Sequence, residues 1–440
     1  VNKDHLTIKS ESGAEATIVQ AANPDDHVFE VTADYVNISG FTVTGATEYT
    51  GWYEYKAGVY LVDVKHCNIT YSNASDNYYG IFLDNSSYNN ITNNKARNNR
   101  FGINLDDSSY NTLTYNEVSN NEYGIDSDDS WNNNISNNNL NSNKYFGIWL
   151  RYSSSNILAN NIFTNDGLFV VGSRKNTVRN NIVNGKPLVY FEDASDHIIE
   201  KDAGQVILVY CDNIRVEGLN IHNTTVGIEL WRTDNSNIVN NNVSNNYYGI
   251  YLKGSSNILT NNKASNNNHG IWLGAFSSDN ALVNNTANSN NDYGICLEYS
   301  CTNNIISNNK ASNNNYGILL ESSSNNTLIN NTANSNNWDG ILLSYSSNNT
   351  LTNNTMSNNR YNFGIQAYNI GYIQNIDTSN KVNGKSIYYW VGQQNQQIPN
   401  DAGFVGIINS ANITVKDLTL TNNGYGILIA HSKNLIIENI

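Results

Sequence analysis

Four charged residues recur in one register of the chain: Asp84, Asp106, Asp128 and Arg151, separated by 22, 22 and 23 residues. Each closes a stretch built on Gly-Ile, as in Tyr79-Gly80-Ile81-Phe82-Leu83-Asp84 and Phe146-Gly147-Ile148-Trp149-Leu150-Arg151. If these stretches stack as neighbouring strands, the three carboxylates fall about 5 Å apart. They then repel unless a cation or a shared proton stands between them. Asp107, Asp126 and Asp129 thicken the cluster, and Trp149 lies beside Arg151. Three roles are open. Solvated carboxylates would keep the surface soluble, and this is the preferred reading. Calcium held by Asp84, Asp106, Asp107, Asp128 and Asp129 would tie neighbouring strands together, because hard oxygen ligands suit that ion. Catalysis by Asp84, Asp106, Asp128 and Arg151 would suit glycoside hydrolysis, or uronate elimination or epimerisation. Elimination or epimerisation would also want a base beside the arginine, and Tyr152, adjacent in sequence, is expected to point elsewhere.

Aromatic residues offer a second kind of chemistry. Tyr60, Phe82 and Trp149, with Tyr251 and Trp272 further on, occupy the alternate outward position of the same stretches. Flat rings along a shallow face suit sugar rings, while simple ring stacking is the preferred alternative. The aromatics that precede Gly, including Tyr79, Phe101, Tyr123, Phe146, Tyr293 and Tyr316, are expected in an interior or corner stack. Soft-metal chemistry finds little support. With one Met and scattered His (His5, His27, His66, His197, His222, His269 and His431), copper is not expected, and each His is read as a surface or turn residue. Cys67, Cys211, Cys296 and Cys301 show neither zinc spacing nor a disulfide framework.

Such residues need elements that place them one above another, and the chain is repetitive enough to do so. Gly58, Gly80, Gly102, Gly124 and Gly147, then Gly227, Gly249, Gly270, Gly294, Gly317, Gly340 and Gly364, mark a unit of 21 to 24 residues within each half. A unit this short cannot bury its own apolar face, so it must stack on its neighbours. After Gly, Ile-X-Leu alternates with the period of a strand that has one buried face. A second short strand centres on Ile91, Leu113, Ile135 and Leu158, and again on Leu259, Leu282, Ile306, Leu328 and Leu351. Three residues after each comes Asn, at Asn94, Asn116, Asn138 and Asn161, and at Asn262, Asn285, Asn309, Asn331 and Asn354. A third short strand closes the turn at Ala96, Val118, Ala264, Ala311 and Ala333. Stacked Asn amides would bond to one another and satisfy bends that otherwise bury unpaired polar groups. Asn also tolerates the left-handed angles of such bends. The expected fold is therefore all-β: a right-handed, single-stranded parallel β-helix with about 22 residues per rung, Asn ladders at its turns, roughly 20 rungs and a length on the order of 90 Å.

Two stretches interrupt this rhythm. Asn184-Gly185-Lys186 matches Asn383-Gly384-Lys385, and Asp202-Ala203-Gly204 matches Asp401-Ala402-Gly403, each at an offset of 199 residues. Two tandem units are expected, residues 1–225 and 226–440, continuous with each other because no Pro/Gly/Ser-rich spacer separates them.

Here the motifs reach a family resemblance. The Gly-Ile-X-Leu repeats and the twice-used Val-Asn-Gly-Lys and Asp-Ala-Gly blocks resemble the NosD-like periplasmic copper-binding and carbohydrate-associated β-helix family, which is abundant in archaeal cell-surface proteins. The resemblance implies the fold. It leaves activity open, since one fold serves many functions.

Bulk properties narrow the role. A net charge of −14 with no basic stripe argues against nucleic acid, and no apolar run approaches the roughly 18 residues of a membrane span. Asn-X-Ser/Thr triplets, including those at Asn37, Asn68, Asn90, Asn134, Asn242, Asn330 and Asn412, suit a glycosylated exported chain. The start at Val1, without Met or signal peptide, reads as a processed or excised segment, and both ends stop within the strand pattern. The expectation is an extracellular, cell-surface module that acts as a rigid scaffold or spacer, contacts polysaccharide or other surface proteins, and joins end to end. The alternative is a polysaccharide lyase, epimerase or hydrolase working on the outer face.

Overall fold

Each aromatic-Gly-Ile-X-Leu stretch is a six-residue strand, as in Tyr79–Asp84, Phe101–Asp106, Tyr123–Asp128 and Phe146–Arg151, or Tyr248–Lys253, Tyr293–Glu298 and Tyr316–Glu321. A computed structural model describes residues 1–48 and 56–440 of the chain. In the first unit the long strands from Ala57–Val62 to Phe146–Arg151 are each followed by two strands of three residues, for example Thr112–Thr114 and Glu117–Ser119. Equivalent strands pair in parallel and in register from turn to turn, with Ile81, Ile103, Ile125 and Ile148 in one line. The result is a right-handed parallel β-solenoid of about 22 residues per turn and about 19 turns.

The chain divides into two compact units: Val1–Glu192 with Asp202–Ile207 and Asn223–Val226, and Asp193–Lys201 with Leu208–His222 and Gly227–Ile440. In the first, a seven-stranded sheet of long strands and an eight-stranded sheet of middle strands face a third, short-strand sheet across the core. In the second, the middle strands form a nine-stranded sheet. Each turn contributes the same few residues to the interior. Ile103, Leu105, Leu113 and Val118 of one turn are all fully buried.

The corners between these strands are polar and yet buried. At the second corner, the backbone N–H of Asn94, Asn116, Asn138 and Asn161 each donates to the side-chain Oδ1 of the ladder residue one turn on, at 2.9–3.0 Å. Each Nδ2 donates to that same Oδ1 and to a main-chain carbonyl of the preceding turn, as Asn116 Nδ2 does to Asn138 Oδ1 (3.0 Å) and to the carbonyl of Ile91 (2.9 Å). Two further Asn ladders, Asn89-Asn111-Asn133-Asn156 and Asn77-Asn99-Asn121-Asn143, and a serine ladder, Ser86-Ser108-Ser130-Ser153, repeat the design at the other bends. The frequent Asn-Asn pair divides the labour. Asn93, Asn137 and Asn160 take left-handed angles (φ 56°) while the Asn that follows each one bonds along the stack.

Glycine is demanded by close approach at the third corner. A Cβ on Gly102 would lie 2.6 Å from the carbonyl oxygen of Gly124 and 2.8 Å from Val118, so no side chain fits where successive turns meet. The expected line from Gly340 to Gly364 does not hold. Gly340 is followed in the stack by Asn362, and Gly364 instead pairs with Leu342. Asn362 occupies the glycine position because its side chain ends the ladder, accepting from Asn359 N (3.2 Å) and Nδ2 (3.0 Å).

The repeated Val-Asn-Gly-Lys blocks are β-hairpins, which repeat counting did not foresee. Ile182–Val183 pairs antiparallel with Lys186–Glu192, and Lys381–Val382 with Lys385–Val391. Asn184-Gly185 (φ 51°, 78°) and Asn383-Gly384 (φ 49°, 80°) supply the two positive-φ residues that a tight two-residue turn needs. Asn-Gly between apolar residues was the available signal.

One ladder in the first unit ends on an acid. Asp166 Oδ2 accepts from Asn143 N (3.2 Å) and Nδ2 (2.8 Å), while its Oδ1 is buried without a hydrogen-bond partner. Burial holds this carboxyl well above the usual range. Its neutral form is thus favoured by folding: the stability it carries is present at acid pH and is lost as pH rises toward the raised value. Asp166→Asn restores an amide that does not titrate. It should raise the melting temperature, by an increment that grows between pH 4 and pH 8 and corresponds to about 1–3 kcal/mol at the upper end. Asn116→Ala strands the N–H and amide of Asn94 and the carbonyl of Ile91, and should cost about 2–4 kcal/mol in urea unfolding with little dependence on pH.

Candidate functional site

Two outward rows run along the long strands of the first unit. Tyr60, Phe82, Asn104, Asp126, Trp149 and Phe169 are in register, as are Val62, Asp84, Asp106, Asp128, Arg151 and Val171. The expected charged row therefore exists. Its centre of gravity, however, is Asp126, which belongs to the first of these rows.

Arg151 Nη2 donates to Asp126 Oδ2 at 2.8 Å and Nε reaches Oδ1 at 3.4 Å, while Nη1 lies 3.1 Å from Asp128 Oδ2. The guanidinium also stands over the Trp149 ring, 4.2 Å from its centroid. Arg151 thus neutralises two carboxylates from adjacent turns and has its face covered by an indole. Asp126 is the buried partner, its side chain 1% exposed, against 31% for Arg151 and 26% for Asp128. Burial raises the Asp126 carboxyl to about 6 even though Arg151 pulls it down. Asp106 is also raised to about 6, by partial desolvation against the sheet and then by repulsion from Asp128, Asp107 and Asp84. Asp84 is engaged elsewhere, accepting from the Tyr60 hydroxyl at 2.7 Å. Two buried polar atoms here have no partner among the described residues, Asp128 Oδ1 and Trp149 Nε1.

The five carboxylates expected to hold calcium do not converge. Asp107 and Asp129 occupy left-handed turn positions (φ 46° and 42°) beyond the strand ends and are exposed. Asp84 is tied to Tyr60, and Asp128 to Arg151. Among the described residues no three His, Cys, Asp or Glu side chains are grouped as a metal ion would need. The cation of this cluster is Arg151. Tyr152 sits at a left-handed turn (φ 48°) and is exposed, away from the pair.

The expected aromatic platform is only partly a surface. Phe82 is 9% exposed, stacked on Tyr79 at 4.5 Å and on Tyr60 at 5.2 Å, so its faces are taken. Tyr60 carries His27 on its other side at 4.4 Å. Trp149 packs against Phe146 (4.8 Å) and Tyr123 (5.6 Å) as well as Arg151. In the second unit Tyr251 and Trp272 are paired in register and lean on Tyr248 (5.1 Å) and His269 (4.7 Å). The aromatics before Gly form a stack, as expected: Tyr79, Phe101 and Tyr123 follow one another at 5.0 and 4.7 Å, and Tyr293 meets Tyr316 at 5.4 Å. His269, in that column, corrects the reading of every His as a surface or turn residue. It is 5% exposed between Tyr248 and Tyr293, and burial lowers its imidazole to about 4.

A third aromatic column escaped the sequence reading. His5, Tyr35, His66, Tyr88 and Tyr110 stack in order with ring centroids 4.6, 4.9, 5.6 and 5.0 Å apart, and all five are exposed. Each takes φ of 57–61°. The signal was positional: an aromatic or His three residues before Ile38, Ile69, Ile91 and Leu113.

Residues 195–392 match the family model described as periplasmic copper-binding protein (NosD), and residues 27–183 match that of the right-handed β-helix region. These two matches agree with the NosD-like parallel β-helix family that the repeats resemble. No curated protein matches it. Among solved structures it is similar to a variant of the periplasmic alginate epimerase AlgG (16% identity, 72% of this chain and 77% of that one, TM-score 0.36). It is also similar to the A-module of Azotobacter vinelandii mannuronan C-5 epimerase AlgE4 (11%, 92% and 87%, 0.29) and to pectate lyase Pel9A (15%, 60% and 70%, 0.28). Likeness of this size concerns the coil alone. Nor do the residues of this NosD-like chain fit copper. Met356 and the four cysteines are buried, and no metal-binding group of His, Cys, Asp or Glu forms among the described residues.

Arg151→Met tests whether the Asp126–Arg151–Asp128 cluster holds the sheet together. Removing the arginine leaves a buried carboxylate unpaired, at a cost near neutral pH of about 3 kcal/mol, the low end for such pairs because Arg151 is a third exposed. Asp126 has a raised folded-state value, so its neutral form carries stability below its unfolded range and loses it as pH rises through 6. The destabilisation of Arg151→Met should therefore shrink markedly at pH 4.5, as read by urea midpoints at the two pH values.

Proposed function

We propose that this chain is an extracellular, cell-surface β-helix module that serves as a rigid scaffold or spacer, contacts glycans through its exposed aromatic column, and associates end to end. The observation that carries the reading is the set of polar ladders. Bends that would be the soft points of a coil are bonded to the turns on either side, which favours stiffness over movement. The stacked Tyr35, His66, Tyr88 and Tyr110 rings present their edges and hydroxyls to solvent at a spacing set by the turns, a row that extended sugar chains could follow. Export is supported by the periplasmic description of the matching family and by the many Asn-X-Ser/Thr triplets.

A second reading rests on one specific observation. Asp106, raised to about 6 beside Asp128, is a carboxyl poised to exchange a proton near neutral pH, as a carbohydrate-active lyase, epimerase or hydrolase would require. Against it stands the engagement of Arg151, whose guanidinium is committed to Asp126 and Asp128 and is not free for a substrate carboxylate.

Affinity electrophoresis through gels containing neutral and uronate polysaccharides should retard the protein, and Tyr88→Ala with Tyr110→Ala should lower the retardation at least severalfold without product release. Unsaturated uronate or new reducing ends that vanish in Asp106→Ala would replace the scaffold with an enzyme. Light scattering over a wide concentration range should show growing assemblies; a single constant mass would remove end-to-end association.

A further inference from the structure

In the strand Tyr361–Gln366 of the second unit the glycine of the repeat is displaced, and this opens a socket. Along their outward row Trp272, Cys296, Leu319 and Leu342 follow one another. The next residue in line is Gly364, which has no side chain to continue the row. A Cβ at Gly364 would stand 3.0 Å from Leu342 Cδ1 and 3.1 Å from Asp339 Oδ1. Over this gap lies a cleft of about 450 Å³ walled by Tyr316, Trp338, Tyr361 and Tyr425, with Asp339 and Glu321 as its carboxylates. The shift follows from Asn362: the residue that closes the ladder takes the usual glycine position, and the glycine is displaced two residues along the strand.

Asp339 is the unusual member. It is 8% exposed, opens onto the cleft, and has neither a hydrogen bond nor an ion pair among the described residues. Burial alone raises its carboxyl to about 6, so at neutral pH it is largely ionised with nothing opposite it. The charged and titratable groups around it do not compensate. Glu321 has the same sign, and the Tyr316, Tyr361 and Tyr425 hydroxyls are neutral. Arg360 is exposed and lies over the Trp338 ring at 4.3 Å and the Tyr361 ring at 5.4 Å, without pairing to either carboxylate.

We propose that this cleft binds an organic ammonium group, seated against the aromatic walls with its charge facing Asp339. Aromatic faces attract a cation and shed the water around its alkyl groups, and a desolvated carboxylate supplies the counter-charge. A neutral sugar would leave both carboxylates uncompensated in the same apolar surroundings. A bare metal ion would want several converging oxygen ligands, and none are grouped here among the described residues.

Calorimetric titration of the whole chain with choline, and with its neutral carbon isostere 3,3-dimethylbutan-1-ol, tests this. Choline should bind at one site, the isostere about tenfold or more weaker, as expected for loss of a desolvated charge contact. Affinity for choline should rise between pH 5 and pH 7 as Asp339 ionises. Asp339→Asn should weaken choline about tenfold and abolish the pH dependence. Gly364→Val should weaken both ligands by filling the socket, and if that variant does not fold, Asp339→Asn alone decides. The proposal is overturned if choline and the isostere bind equally, if Asp339→Asn leaves choline affinity unchanged, or if methyl α-glucopyranoside binds and choline does not. Absence of choline binding at 50 mM (about 1.8 kcal/mol of affinity) overturns it as well.

Discussion

Everything in this fold depends on a hydrogen bond between one turn and the next made by a side chain in place of a strand. A solenoid turn of about 22 residues must bend at several corners, and at each the main chain leaves the sheets that would otherwise satisfy it. The ladder Asn answers with both ends of its amide: the oxygen receives a main-chain N–H and an Nδ2 from one neighbour, and the nitrogen reaches a main-chain carbonyl of the preceding turn. Because every Asn serves both neighbours, the corners are bonded along the stack as continuously as the strands. That is why so polar a chain folds around so thin a core.

The same constraint locates the irregularities. Ladders cannot stop in the middle of a corner without stranding an amide, so they end on special residues. Asp166 ends one with a carboxyl whose charged form burial disfavours, and Asn362 ends another by borrowing a glycine position. The latter displaces Gly364 and opens the aromatic cleft beneath Leu342. The Asn-Gly hairpins also fall at the close of a run of short strands, where the chain reverses against its predecessor instead of continuing the coil. Sites with chemical potential thus gather where regular stacking is terminated.

On the outer faces, stacking imposes a different economy. Like charges in register repel, and the first unit meets this with one arginine placed where two carboxylates from adjacent turns can share it and an indole can cover it. Aromatic residues follow the same logic without charge, forming columns whose members hide one another's faces. The turn column from His5 to Tyr110 keeps its rings in solvent, because left-handed turn residues project beyond the sheets.

How much of this could be read from the residues alone follows from what is periodic. The interval between Gly-Ile stretches, the alternation of Ile and Leu, and the Asn three residues after Ile91 or Leu113 repeat strictly enough to give strand, register and ladder, since like must lie over like in any stack of equal turns. The row Asp84, Asp106, Asp128, Arg151 was visible for that reason. Side-chain partnership across rows was not: Asp126 looked secondary, yet it is the buried carboxylate that Arg151 holds, flanked in its row by Asn104 and Trp149 of the adjacent turns. The displaced Gly364 and the buried His269 arise where one turn differs from the next. Periodicity in the chain determined the coil, whereas only the packed structure decided which departures from it create a desolvated charge or an open cleft, because desolvation depends on what neighbouring turns place over a residue and not on its position in the repeat.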